Sequence, residues 1–292
     1  MELATLEKGL SALEQDERLW LEENIRFRQT ALEFIAVAEE FLRLPTNANS
    51  TLSCRLTEHK ANLLDISRRL FTRLRNMIRS KAYSSEALRI EFNRFTDYAP
   101  HLSGQPQYGL DGLDLLLDGV FELSEPAHIA LSNTEMVHYE PTPARVILAL
   151  IDRADFKADD VFYDIGSGLG RVVLLATLLS KIVAKGIECD PTLHTTATVN
   201  AQAFGLSSAT FIQGDARVAD FSDGTIFFMF TPFKGEMFRS VMLKLRQHAE
   251  AKPMKIFSYG ACTFWLAAQS WLRPVGAQPA NDFTLGQFES NL

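Results

Sequence analysis

Residues Val161 to Arg171 read Val-Phe-Tyr-Asp-Ile-Gly-Ser-Gly-Leu-Gly-Arg, an apolar run that ends in a carboxylate and turns through three glycines into Val172-Val173-Leu174-Leu175-Ala176. A short apolar run bounded by glycines suits a central parallel strand, and the apolar segment after it begins the packed helix of a βαβ unit. An α/β sheet follows, with its ligands at the carboxyl ends of the strands. The glycines let the backbone pass close to a ligand in conformations that a Cβ would forbid.

Two cofactor classes use such a turn. Dinucleotide folds require G-x-G-x-x-G, whose amides and helix N-terminus receive a pyrophosphate. Here Gly166, Gly168 and Gly170 follow G-x-G-x-G, and Asp164 stands where its charge would repel a pyrophosphate but tolerate an ammonium and a sulfonium. The arrangement, with Ser167 inside the turn, resembles motif I of class I S-adenosylmethionine-dependent methyltransferases. The resemblance implies that the acid and the glycine loop surround the methionine part of the cofactor, S-adenosyl-L-methionine. It also implies an α/β fold with a seven-stranded class I methyltransferase (Rossmann-like) sheet.

The stretch Val183 to Glu188 reads as the next strand, and Glu188 lies about twenty residues after the turn, where ribose-binding acids sit in nucleotide folds. Asp190-Pro191 is a cap and first-turn pair for a helix that ends near Gly205. Ala209 to Gln213 is a third strand, followed by Gly214-Asp215-Ala216; the family resemblance gives Asp215, beside Ala216, the adenine amino group. Thr225 to Phe230 runs into Thr231-Pro232-Phe233, the edge that faces the transferable methyl in this family, which makes Thr231 and Phe233 candidate catalytic residues. Met254 to Tyr259 reads as a fifth strand, and Leu272 to Val275 with Phe283 to Phe288 as an antiparallel pair completing the sheet.

Upstream, Glu135-Met136-Val137-His138-Tyr139-Glu140-Pro141-Thr142-Pro143 leads into an apolar helix from Ala144 to Ile151, with Thr142 able to cap it and Pro143 in its first position. Together with Asp164 to Gly170, this stretch resembles the disruptor-of-telomeric-silencing type of lysine methyltransferase over roughly residues 135 to 235. The likeness implies that Tyr139, Glu140, Pro141 and Thr142 close over the methionine moiety. Candidate general bases near the site are Tyr139, His138 and Glu140. The chain departs from that family at Phe230-Thr231-Pro232-Phe233, where an Asn-Asn-Phe segment would stand. Amino-methyltransferases of adenine or glutamine place Asp/Asn-Pro-Pro-Tyr/Phe there. The amide or carboxylate that would orient an amine is missing, as is a basic nucleosome-binding tail. These departures speak against histone and nucleic-acid substrates.

The first hundred residues read as helices. Leu3, Leu6, Leu10 and Leu13 open an apolar stripe; Ile25, Leu32, Ile35 and Leu42 continue it until Pro45. A third helix carries Leu56, Leu63, Leu70, Leu74 and Met77 on one face, and Ser84 or Ser85 opens a fourth with Leu88, Phe92 and Phe95. The third helix also carries Arg68, Arg69, Arg73, Arg75, Arg79 and Lys81, a run that could grip an acidic partner or substrate and that reads first as a solvated face pairing with the Glu-rich first helices. Pro100 to Gly109 is the expected linker, which separates an N-terminal all-helical domain (1–105), a cap, acceptor-selecting or association module, from a methyltransferase domain (106–292). Asp111, Asp114 and Asp118 recur at helical spacing as a polar helix face, without the dense oxygen-ligand loop of a calcium site.

A chain of 292 residues with 47% hydrophobic content can bury a sizeable core. Its net charge of -7 argues against an electrostatic nucleic-acid binder. Cys54, Cys189 and Cys262 have no metal-type spacing and are expected to be reduced, with no metal site. The acidic start and the lack of a membrane-length apolar run predict a cytoplasmic protein with no membrane partner. The expected partner is an unidentified methyl acceptor, a protein side chain or a small metabolite, and the N-terminal helices could support a homo-oligomer. Two other readings stay open: a catalytically silent cofactor-binding protein and a nucleotide-dependent oxidoreductase.

Overall fold

The computed structural model describes residues 2–96, 111–123, 134–276 and 281–292. The expected linker, Pro100 to Gly109, and the expected domain boundary at 105/106 lie outside the described residues. By their internal contacts the described residues form two compact units. One comprises 2–82, 90–96 and 111–122, the other 83–89, 123, 134–276 and 281–292.

The helices come first: α1 (Leu3–Glu14), a 3-10 turn (Glu17–Trp20), α2 (Ile25–Leu42), α3 (Ser50–Arg79), α4 (Ser85–Asn93) and α5 (Gly112–Phe121). The third is 30 residues long, and Leu56, His59, Leu63, Ile66 and Leu70 alternate at spacings of three and four to form one buried stripe. That period keeps a single face toward neighbouring helices. Asn49 starts this helix by accepting from the Leu52 amide at 3.0 Å. Its basic residues pair within the unit, Arg55 with Glu14 and Arg73 with both Glu22 and Glu91. These pairs are partly exposed, so each is worth only about 0–1 kcal/mol.

The acids of α5 differ from the expected polar face. Asp111 and Asp114 are buried, and together they form a capping box. The Asp111 carboxylate accepts from the amides of Leu113 and Asp114, while the Asp111 amide donates to the Asp114 carboxylate at 2.8 Å. A helix start leaves unpaired amides, and a buried start requires side chains of this kind. Helical spacing alone does not separate that arrangement from a wet face.

The second unit contains α6 (Ala144–Ala154), β1 (Val161–Ile165), α7 (Arg171–Ser180), β2 (Val183–Glu188), α8 (Pro191–Ala203), β3 (Ala209–Gln213) and β4 (Ile226–Phe230). It continues through α9 (Gly235–Ala251), β5 (Lys255–Tyr259), α10 (Cys262–Ala267), β6 (Leu272–Pro274) and β7 (Gly286–Ser290). The seven strands lie in the order β3-β2-β1-β4-β5-β7-β6. The first five are mutually parallel and β7 runs antiparallel to both β5 and β6. The expected seven-stranded Rossmann-like sheet is present, its boundaries differing from the expected ones by a few residues at most. Strand order reverses between β1 and β4, so a crevice opens beyond their carboxyl ends. Among the described residues no helix is long and apolar enough to cross a membrane.

Candidate functional site

At the end of β1 the chain turns through Gly166, Gly168 and Gly170, all with positive φ. Four amides of this turn have partners. Those of Gly166 and Ser167 both donate to the carbonyl of Ile187 at 2.9 and 3.0 Å, and that of Gly170 donates to the Ser167 carbonyl. The Gly168 amide donates to Glu188 Oε2 at 2.8 Å. With these four amides engaged, the loop offers few free donors to a pyrophosphate.

A cavity of about 300 Å³ lies beyond the strand ends. Of the expected site residues, Tyr139, Glu140, Thr142, Asp164, Gly166, Ser167, Glu188, Asp215, Ala216, Thr231 and Phe233 all line it. Gly168 and Gly170 do not. A Cβ on Gly168 would lie 2.1 Å from the Tyr139 ring, and one on Gly170 would lie 2.5 Å from the Phe211 ring. Gly168 lets the Tyr139 ring lie across the loop, whereas Gly170 lets the loop pack on β3. Thr142 is buried, but it does not cap α6: Pro143 is the N-cap and no side-chain cap bond forms.

The acids of the cavity have distinct environments. Asp164 is 2% exposed, and its pKa is raised to about 8, mainly by burial and further by the charge of Glu188. Glu188 is also buried; beyond Gly168 it accepts from the Asp190 amide at 2.8 Å. Asp215 is held at both oxygens by Arg217, whose hydrogen bonds keep its carboxyl below the usual range. Burial, then Glu188, pushes the Cys189 thiol up to about 12, so it stays protonated.

One wall of the cavity is apolar, made by Phe230, Pro232, Phe233, Met136 and Met237. The Thr231 hydroxyl, with its backbone at φ +39°, accepts from the Cys262 amide at 3.1 Å and donates to the Tyr259 carbonyl at 3.3 Å. It is engaged in holding the start of α10. His138 and Glu140 are exposed, and the Tyr139 ring is half-buried.

Glu135 was not legible as a site residue. Its carboxylate accepts from the amides of Glu236 and Met237, and its carbonyl from that of Lys234. Met136 forms an isolated antiparallel bridge with Phe233, so the segment before Tyr139 is hydrogen-bonded to the segment that follows β4. An acid four residues before Tyr139 was the only available signal, and nothing local points it toward a helix about a hundred residues later.

The cavity suits S-adenosylmethionine. Asp164 and Glu188 offer buried acid to the ammonium and sulfonium of a methionine end and to a ribose, and the Ser167 hydroxyl, 6% exposed, has no hydrogen-bond partner among the described residues. Buried polar groups are normally paired, so a ligand atom is the natural partner.

A family model described as histone methylation protein DOT1 matches residues 131–214. A protein-lysine N-methyltransferase of Saccharolobus islandicus is 29% identical over 127 residues, covering 42% of this chain and 75% of the relative. Among solved structures, an RNA methyltransferase from Salinibacter ruber in complex with S-adenosyl-L-homocysteine is 26% identical over 52% of this chain and 92% of its own, with a TM-score of 0.41. A precorrin-6y C5,15-methyltransferase from Geobacter metallireducens is 15% identical over 56% and 96%, with a TM-score of 0.40. The sheet order, the acid-lined cavity beyond β1 and the matched segment converge: this chain is a class I S-adenosylmethionine-dependent methyltransferase that resembles DOT1 over residues 131–214.

Proposed function

We propose that the enzyme methylates the side-chain amine of a lysine in a protein. The observation that carries this reading is the apolar part of the cavity lining, where Phe230, Pro232, Phe233, Met136 and Met237 come together and Thr231 is engaged by the backbone. Such a wall accepts the four-carbon stem of lysine. It also favours the neutral amine, since desolvation penalises the charged form. A nucleophilic amine then needs no carboxylate or amide to orient it, in keeping with the Phe-Thr-Pro-Phe sequence at this edge. The name of the Saccharolobus relative supports the same acceptor.

S-adenosylmethionine supplies an electrophilic methyl carbon on a sulfonium. The residues of this chain do the positioning: Asp164 balances the cationic end, Glu188 accepts from the ribose, Asp215 and Ala216 flank the adenine end, and Tyr139 with Thr142 shields the loop from water. Holding the reacting atoms in line can contribute on the order of 7–11 kcal/mol to the rate. The test is transfer of a labelled methyl group to lysine-rich proteins, followed by hydrolysis and amino-acid analysis. Label in methyl-lysine is expected. Label only in another residue, or only in small metabolites, would overturn the reading.

A further inference from the structure

The start of α9 lacks a cap of its own. Lys234 stands at the N-cap without a side-chain cap bond, and the next residue, Gly235, has a φ of +60°. The orphan amides of Glu236 and Met237 donate instead to Glu135 Oε1 and Oε2 at 3.0 and 2.9 Å. Gly235 makes the approach possible, because a Cβ there would lie 2.1 Å from Glu135 Oε1. The backbone completes the attachment: the Lys234 amide donates to the Glu135 carbonyl at 2.8 Å and the Val137 amide to the Pro232 carbonyl at 3.1 Å.

This attachment lies between the two functional ends of the cavity. On one side are Pro232 and Phe233 of the apolar wall; on the other, four residues after Glu135, is Tyr139 across the glycine loop. We infer that Glu135 is a positioning residue of the methyltransferase, a latch that fixes residues 135–139 to the start of α9 and so holds Tyr139 over the cofactor loop. The inference rests on the methyltransferase reading and adds to it a residue that touches neither cofactor nor acceptor. Because both carboxylate oxygens receive backbone amides, only a side chain of this length with two acceptors satisfies both ends. Gln leaves one acceptor and sets its side-chain NH2, a donor, against a backbone N–H.

Calorimetry with S-adenosylhomocysteine on the full chain tests this. Glu135→Ala is expected to weaken binding about tenfold and Glu135→Gln by less, while turnover at saturating cofactor changes less than about twofold. The decisive measurement is the cycle with Tyr139→Ala. A latch acting through Tyr139 predicts that Glu135→Ala has little further effect once Tyr139 is gone. Additive losses would show that Glu135 acts on the protein generally, and unchanged affinity in Glu135→Ala would show that no latch exists. Either overturns the proposal. Should Glu135→Ala fail to fold, the same cycle is run with Glu135→Gln. Failure of the unaltered protein to bind S-adenosylhomocysteine is a different result: it removes the cofactor reading, and the latch with it.

Discussion

With 2% of its surface exposed and Glu188 on the same cavity, Asp164 keeps its proton up to about pH 8. Its reference value is 3.8, so between these values the folded protein binds a proton that the unfolded chain releases. The sign follows: this contribution to stability is fully present below pH 3.8 and is lost as pH rises toward about 8. A cationic ligand beside Asp164 reverses the preference and drives the proton off. Binding of S-adenosylmethionine at neutral pH should therefore release a proton, and its affinity should rise with pH up to about 8. Calorimetry in buffers of different ionisation enthalpy reads that proton directly, and a binding enthalpy independent of buffer would refute the linkage. Asp164→Asn should remove it, weaken binding about a hundredfold, and flatten the pH dependence of the melting temperature of the unliganded protein.

At the scale of elements, what was legible is what is local. The strands show as short apolar runs between turn signals, and Asp190-Pro191 starts α8 as expected, Asp190 accepting from the amides of Thr192 and Leu193. What depends on approach between distant segments was not legible. Glycine spacing marks the loop, but that Gly168 faces the Tyr139 ring and Gly170 the Phe211 ring is a tertiary fact. Arg28 interrupts the apolar stripe of α2, yet it is fully buried and donates to the carbonyls of Leu19, Leu21 and Glu22, tying the preceding 3-10 turn to the helix. Two substitutions test these elements. In Gly168→Ala the new Cβ meets Tyr139 at a residue with φ +53°, so cofactor affinity should fall while the fold survives a cost of about 1–2 kcal/mol. Unaltered affinity would mean that Tyr139 does not shape the site. Asp111→Ala, which breaks the capping box, should destabilise α5 by about 1–2 kcal/mol and raise hydrogen exchange at Leu113 and Asp114 first. Unchanged exchange there would show that the cap contributes nothing.

At the scale of the whole molecule, the charge of -7 bears on which acceptors reach the site. An acidic surface repels nucleic acid and attracts lysine-rich protein, and the attraction acts over about one Debye length, near 10 Å at 0.1 M salt. The cofactor cavity lies beyond strand ends, and its principal acids, Asp164 and Glu188, are buried. Buried charges are screened far less than those on the surface. The two binding steps should therefore respond differently to salt. For a basic protein acceptor, kcat/KM should fall by roughly tenfold as ionic strength rises from about 0.02 to about 0.3 M, through KM and not kcat, because salt screens the encounter and not the transfer. Affinity for S-adenosylhomocysteine should change less than about threefold over the same range. A kcat/KM that is flat or rises with salt would indicate an acceptor recognised by apolar contacts alone. It would remove the electrostatic reason for preferring a lysine-rich partner, while leaving the apolar wall at Phe233 as the determinant of which side chain enters.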